Sequence, residues 1–206
     1  MIKISNVHVM NLDNAIRGAR NPLDSWDKSD SYWHEQNFIL GQEDLGLAKR
    51  LRKAGPDHRK FMRQIFVTMD ILAPLYWWKE FDTYKVGTCS NSCSTMHTLH
   101  KKEFSLNDFS FESFADDAID FYLLKTDVVD RLNHLRDQFI LTKNNKYWLR
   151  MIQLLPSSFN QLRTVTMTYE NLVNMYGARK NHKLNEWHIF CETVESLPYA
   201  QDLILN

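Results

Sequence analysis

Net charge is the first thing this sequence lacks. Its 25 acidic and 25 basic side chains cancel, which argues against a nucleic-acid binder working by bulk charge and leaves room only for a local basic patch. Cysteine is also scarce. Cys89, Cys93 and Cys191 are the whole supply, and three thiols fit a reducing cytosol better than a secreted disulfide framework. Cys89 and Cys93 stand four apart, but no second close pair completes a zinc site. Two ordinary thiols in a site-lining loop is the reading this spacing favours. Long apolar runs are missing too. No stretch approaches a membrane span, and "MIKISNVHVM" lacks the apolar centre of a secretion signal. A cytoplasmic protein, with neither membrane nor nucleic acid as partner, is the expectation.

Several catalytic signatures are absent as well. There is no G-x-x-x-x-G-K-[ST] loop and no G-x-G-x-x-G. No G-x-S-x-G elbow supports a hydrolase triad. His97 and His100 stand three apart, and His182 and His188 six apart. Neither pair has companions that would make up the three or four ligands of a metal site, so no metal is expected.

What is present suits a folded core. Hydrophobic residues are 44% of the chain and aromatics 13%, enough to fill one domain covering residues 1–206. Ile2, Ile4, Val7 and Val9 predict an opening strand with a slip at Asn6. "NLDNAIRGAR" predicts a short helix capped by Asn11 or Asp13. Residues 21–36 read as a long surface loop, a kind of segment often functional. Leu45, Leu47, Ala48 and Leu51 predict a helix closed by Gly55. Ile65, Val67 and Met69 alternate with Phe66, Thr68 and Asp70, so part of this segment reads as strand, and Pro74 limits what can precede it. Downstream, Phe114, Ala118, Phe121 and Leu124 form one helical face, and Val128, Leu132, Leu135 and Phe139 another. "KYWLRMIQLLP" predicts a third helix stopping before Pro156. "QLRTVTMTYE" predicts a strand, Thr168 or Asn171 then starts a helix, and "LNEWHIFCETVESL" is a last amphipathic one. The class is α/β (α+β), with helices outnumbering strands.

Two segments stand out chemically. "VGTCSNSCSTMH" follows the aromatic run "APLYWW", which should be buried. Such a hydroxyl-rich loop can cradle a phosphate, hold a polar cofactor ring, or simply turn into a helix with Ser90, Asn91 or Ser92 as cap. "NLVNMYGARKNH" carries Asn174 and Arg179, five apart and poorly matched to one helical face. If Gly177 ended the helix, Arg179 could turn back toward whatever Asn174 faces. An Arg fork suits a carboxylate, a phosphate or a pyrimidine carbonyl. This segment alone favours the ordinary alternative, a surface Arg at a helix C-terminus where the macrodipole suits it.

Taken in order, these segments resemble the flavin-dependent thymidylate synthases over most of the chain. His58 precedes Pro74 by sixteen residues, as the family histidine precedes its Ala-Pro. "APLYWW" stands at the Ala-Pro-plus-aromatics position. Asn91 and Ser94 match the N-x-x-S core of the signature R-H-R-x-x-S-x-N-x-x-S-x-R. Leu154–Pro156 matches the Leu-Pro turn, Asn174 and Arg179 the late Asn and Arg, and "AIRGAR" an early Ala-Ala-Arg. The arginines of the signature are gone. Its R-H-R triplet falls on Tyr84, Lys85 and Val86, or on Thr83, Tyr84 and Lys85. Its first serine is Cys89 and its last arginine Met96. The arginine before the Leu-Pro turn is Gln153, with Arg150 one helical turn earlier as a substitute. Each lost charge-assisted hydrogen bond costs roughly 1.5–3 kcal/mol of ligand binding.

The resemblance implies helices packed around a twisted β-sheet, and a homotetramer with active sites shared between subunits. It implies FAD as cofactor and reductive methylation of deoxyuridylate (dUMP), with methylenetetrahydrofolate and NADPH as co-substrates. It places His58, Lys85, Asn91 and Asn174 on the flavin, and Ser92, Ser94, Arg150 and Arg179 on the nucleotide. It assigns no catalytic nucleophile. Three readings stay open at this level: an altered synthase, a divergent homologue binding a nucleotide or flavin without this reaction, and a structural protein on the same scaffold.

Overall fold

A computed structural model describes residues 2–114 and 116–205. A four-stranded sheet has the order β1-β4-β6-β5, with β1 Lys3–Met10, β4 Phe66–Pro74, β5 Cys89–Ser92 and β6 Asn160–Thr168. The period-2 pattern read at Ile65, Val67 and Met69 continues through Ile71 and Ala73, all fully buried. Side chains between them point the other way, as a pleated strand requires. Tyr169 donates its backbone N–H to Ile65, Thr68 meets Thr166, and Thr164 donates to Asp70. As numbering rises along β4 it falls by equal steps along β6, so these two strands are antiparallel. The slip predicted at Asn6 is a residue with φ +50°, and its amide donates to Asp70 at 2.6 Å.

The chain divides into two compact units. The first comprises Met1–Lys3, Ile71–Thr83 and Asn91–Arg163. It holds α3 Leu75–Phe81, α4 Thr95–Thr98, α5 Ala118–Leu124, a π-helix Lys125–Asp130, α6 Arg131–Thr142 and α7 Asn145–Leu154. Its core gathers Leu99, Phe104, Phe109, Phe111, Val129, Leu132, Leu135 and Met151. The predicted face Val128, Leu132, Leu135 and Phe139 therefore points inward. The face expected from Phe114 to Leu124 is not one helix. Phe114 ends a separate 3-10 turn, Glu112–Phe114, and α5 starts only at Ala118, where Asp117 caps it by accepting from Ile119 and Asp120. A preferred local cap breaks the longer periodicity. Ala115, inside that predicted stretch, lies outside the described residues.

The second unit comprises Ile4–Asp70, Tyr84–Ser90 and Thr164–Asn206. It holds α1 Leu12–Arg20, β2 Tyr32–His34, β3 Asn37–Ile39, α2 Gln42–Lys53, α8 Tyr169–Arg179 and α9 Asn185–Glu195. Asn11 is the first residue outside α1, and Gly55, at φ +101°, follows the end of α2 as expected. The predicted surface loop 21–36 contains 3-10 turns and half of a hairpin, with Trp33 opposite Phe38. It is tied down from below. Buried Arg20 donates to Asp44 at 2.5 Å and to the carbonyls of Ser25 and Lys28. Asp44 accepts from the hydroxyls of Ser29 and Ser31 as well. Asp30 caps α2 by accepting from the backbone of Glu43 and Asp44. Sequence reading also missed the closing π-helix Gln201–Leu205, which buries Leu203 and Ile204.

Candidate functional site

In the second unit, the turn at Tyr84–Thr88 is pinned by Asn171. Its amide nitrogen donates to the Val86 carbonyl at 2.7 Å. Its oxygen accepts from the backbone and hydroxyl of Thr168. Thr168, not Asn171, is the helix cap, and the two close a reciprocal box that satisfies orphan donors at the start of α8. Gly87 sits at φ +75°, and a Cβ there would stand 2.9 Å from the Asn171 oxygen. Only glycine lets the turn approach α8 this closely. Lys85, next in the turn, is exposed and has no acidic partner among the described residues.

His58 is exposed beside a 3-10 helix, Arg59–Gln64, and borders a cavity of about 740 Å³ with Leu47, Leu51, Phe61 and Arg63. Its neighbour Arg59 does more. Arg59 donates to Glu170 at 3.2 Å and to the Asn174 amide oxygen at 3.5 Å, and Arg63 also pairs with Glu170. Burial pushes the Glu170 carboxyl up, but bonds from Arg63 and Arg59 outweigh it and hold the group below its ordinary value. Sequence reading passed over Arg59, although "HRKFMR" displays three cations in six residues beside His58.

Gly177 does not end α8, which continues to Arg179. Asn174 and Arg179 therefore point about 140° apart around the helix. Asn174 meets Arg59. Arg179 donates to the Tyr84 hydroxyl at 2.8 Å and lies 4.6 Å over the Trp187 ring, a favourable cation–π distance.

In the first unit, Asn91 and Ser92 are exposed on β5, and their side chains make no internal hydrogen bond among the described residues. Ser94 precedes α4, and its carbonyl accepts from the Thr98 hydroxyl at 2.7 Å. Arg150 is exposed on α7 with its guanidinium 5.8 Å from the Tyr147 ring centre. The neighbouring Trp148 indole donates to the Met96 carbonyl at 3.0 Å, joining α7 to the segment after Ser94.

Among the described residues no three His, Cys, Asp or Glu gather where a metal could sit. No described helix is long and apolar enough to cross a membrane. Cys89 and Cys93 are exposed and Cys191 is buried. Burial, with Glu195 and Glu192 nearby, pushes the Cys191 thiol up to about 11. The thiolate is the reactive form, so native protein should consume two equivalents of a thiol reagent at neutral pH and a third only after unfolding. Three rapid equivalents in the native state would contradict this packing.

No protein-family model matches the chain, and no curated protein matches it in sequence. Solved structures do match. A flavin-dependent thymidylate synthase from Helicobacter pylori, complexed with FAD and dUMP, superposes with a TM-score of 0.69 at 18% identity over 98% of each chain. The fold is that of the flavin-dependent thymidylate synthases. A second structure of the Helicobacter pylori synthase, also with FAD and dUMP, gives 0.70 over all of this chain and 98% of its own, again at 18% identity. A UMP/dUMP methylase from Streptomyces cacaoi bound with 5-Br dUMP gives 0.68 at 15% identity over 95% of this chain and 89% of its own. The synthase fold thus persists at an identity that leaves nearly every side chain free to change.

Proposed function

We propose that this protein binds FAD and a uridine nucleotide and carries out a synthase-like reductive methylation of dUMP to dTMP. The whole-length likeness to synthase structures holding FAD and dUMP carries the proposal. The chemistry of the donor set supports it. Lys85 and Asn91 offer a charge and an amide to phosphate or ribose oxygens, and His58 and Asn174 complete the flavin-binding set. Ser92, Ser94, Arg150 and Arg179 orient the nucleotide. Bound FAD would supply hydride transfer, and methylenetetrahydrofolate and NADPH are the co-substrates. The protein's part is orientation and electrostatics. A single synthase-like domain forming a cytoplasmic homotetramer belongs to the same reading.

One observation favours a second reading, a homologue that binds flavin or nucleotide without methylating it. Arg179 already holds Tyr84 and stacks on Trp187, so binding a phosphate there has to compete with an existing contact. Purified protein, reconstituted with FAD, should turn yellow and shift its flavin band when dUMP is added. Protein that stays colourless sinks the first reading. A yellow protein that responds to dUMP but fails to rescue a thymidine-requiring strain selects the second.

Within the first reading, Arg179→Ala should weaken dUMP binding roughly ten- to a hundredfold, the loss expected for a charge-assisted bond. Titration calorimetry beside a urea melt reads both effects. Unchanged affinity with a large stability loss would make Arg179 a packing residue only.

A further inference from the structure

The first unit contains a cavity of about 410 Å³ that the nucleotide reading does not use. Its floor is apolar: Leu72, Leu99, Phe104 and Phe159, with Leu162 at the edge. The size lies in the usual range for a small-molecule site. Its polar groups are unequal. Gln161 is fully engaged, its amide donating to the Cys93 carbonyl and its oxygen accepting from Arg163. Lys102 is neutralised by Asp108. Lys101 is exposed at the rim and has no acidic partner among the described residues. The cavity therefore combines an apolar interior with one uncompensated positive charge.

Cys93 ties the cavity to the segment that follows β5. It lines the cavity, and its backbone N–H extends the pairing of β5 by bonding the Leu162 carbonyl at 2.8 Å. Neither Ser92 nor Ser94 lines the cavity.

We infer that this cavity is a second ligand site, for a small amphipathic monoanion. The apolar body enters over Leu99, Phe104 and Phe159, and the carboxylate or sulfonate meets Lys101. A cation of the same shape gains the apolar contacts but faces the lysine charge. The discrimination is therefore electrostatic.

The probe is 8-anilinonaphthalene-1-sulfonate, read by its fluorescence on the full chain. Decanoate should displace it, whereas decyltrimethylammonium should do so at least tenfold less well. Lys101→Glu should weaken probe binding tenfold or more. Lys125→Glu, an exposed lysine outside the cavity, should leave it unchanged. Leu162→Trp, at an exposed edge position where folding tolerates bulk, should block the probe. In a Cys89→Ser background, bound probe should slow alkylation of Cys93 at least fivefold. Equal displacement by the cation, no effect of Lys101→Glu, or unprotected Cys93 would each overturn the inference. Saturating dUMP should leave the probe in place. Displacement by dUMP would merge this cavity with the nucleotide site and likewise end the inference. Failure to bind dUMP at all would leave the cavity result standing.

Discussion

Asp44→Asn should destabilise the protein by about 3–5 kcal/mol, because it strands the buried Arg20 guanidinium without its counter-charge. Asp44 is fully buried and Arg20 only 5% exposed, so neither can fall back on water. Arg20→Ala should be comparably costly. Loss should be cooperative, since Arg20 also holds the Ser25 and Lys28 carbonyls and Asp44 the hydroxyls of Ser29 and Ser31. The double variant should therefore lose much less than the sum of the two singles. Urea unfolding measures the stabilities, and limited proteolysis within residues 21–31 should accelerate in parallel. Single losses below about 1 kcal/mol would mean that the pair is worth no more than a surface ion pair.

The same pair gives a pH signature. Burial raises the Asp44 carboxyl, but hydrogen bonds from Ser31, Ser29 and Arg20 outweigh it and hold it below the ordinary 3.8. A depressed folded-state value means that the unfolded chain takes up protons first as the solution is acidified. The contribution is complete above the unfolded value and disappears as pH falls through the folded one. Glu170 adds to the same acid loss for the same reason. Wild-type stability should drop below about pH 4, and Asp44→Asn should flatten that limb. An identical acid profile in the variant would remove Asp44 from the account.

Trp78→Ala should cost about 3–5 kcal/mol, the range for emptying a large buried aromatic site. Trp78 is fully buried, meets Trp77 and Phe81 edge-on at 4.9 and 5.2 Å, and lies under the Arg163 guanidinium at 4.2 Å. Its indole donates to the Gln161 carbonyl at 3.0 Å. Trp78→Phe keeps most of the packing but leaves that carbonyl unpaired, so about 1–3 kcal/mol is expected. A Phe variant as damaged as the Ala variant would show that the hydrogen bond, not the ring, holds this part of the first unit.

Elements whose cause is local were readable from the residues alone. Strand β4 was legible because alternation is enforced by the pleat, and Val67, Met69, Ile71 and Ala73 occupy the buried face it predicts. Helix α7 ends before Pro156, and α8 starts at Thr168, because caps and prolines act within a few residues. The run "APLYWW" was legible as core because two adjacent tryptophans have no cheaper place than the interior. The fold likeness survived for the same reason, since spacing between such elements tolerates substitution of almost every side chain. Tertiary structure decided which polar groups meet. Arg20 finds Asp44, Arg59 finds Glu170 and Asn174, and Tyr84 finds Arg179 across gaps that no periodicity spans. "GTCSNSCST" looked like one hydroxyl-rich loop, yet its middle is strand β5, Cys89–Ser92. Asn91 and Ser92 lie exposed on β5, whereas Cys93, just beyond it, lines a largely apolar cavity whose Lys101 has no acidic partner among the described residues. Local rules fix the path of a chain. Partners distant in sequence are chosen only when burial makes an unpaired charge or amide too costly to leave alone.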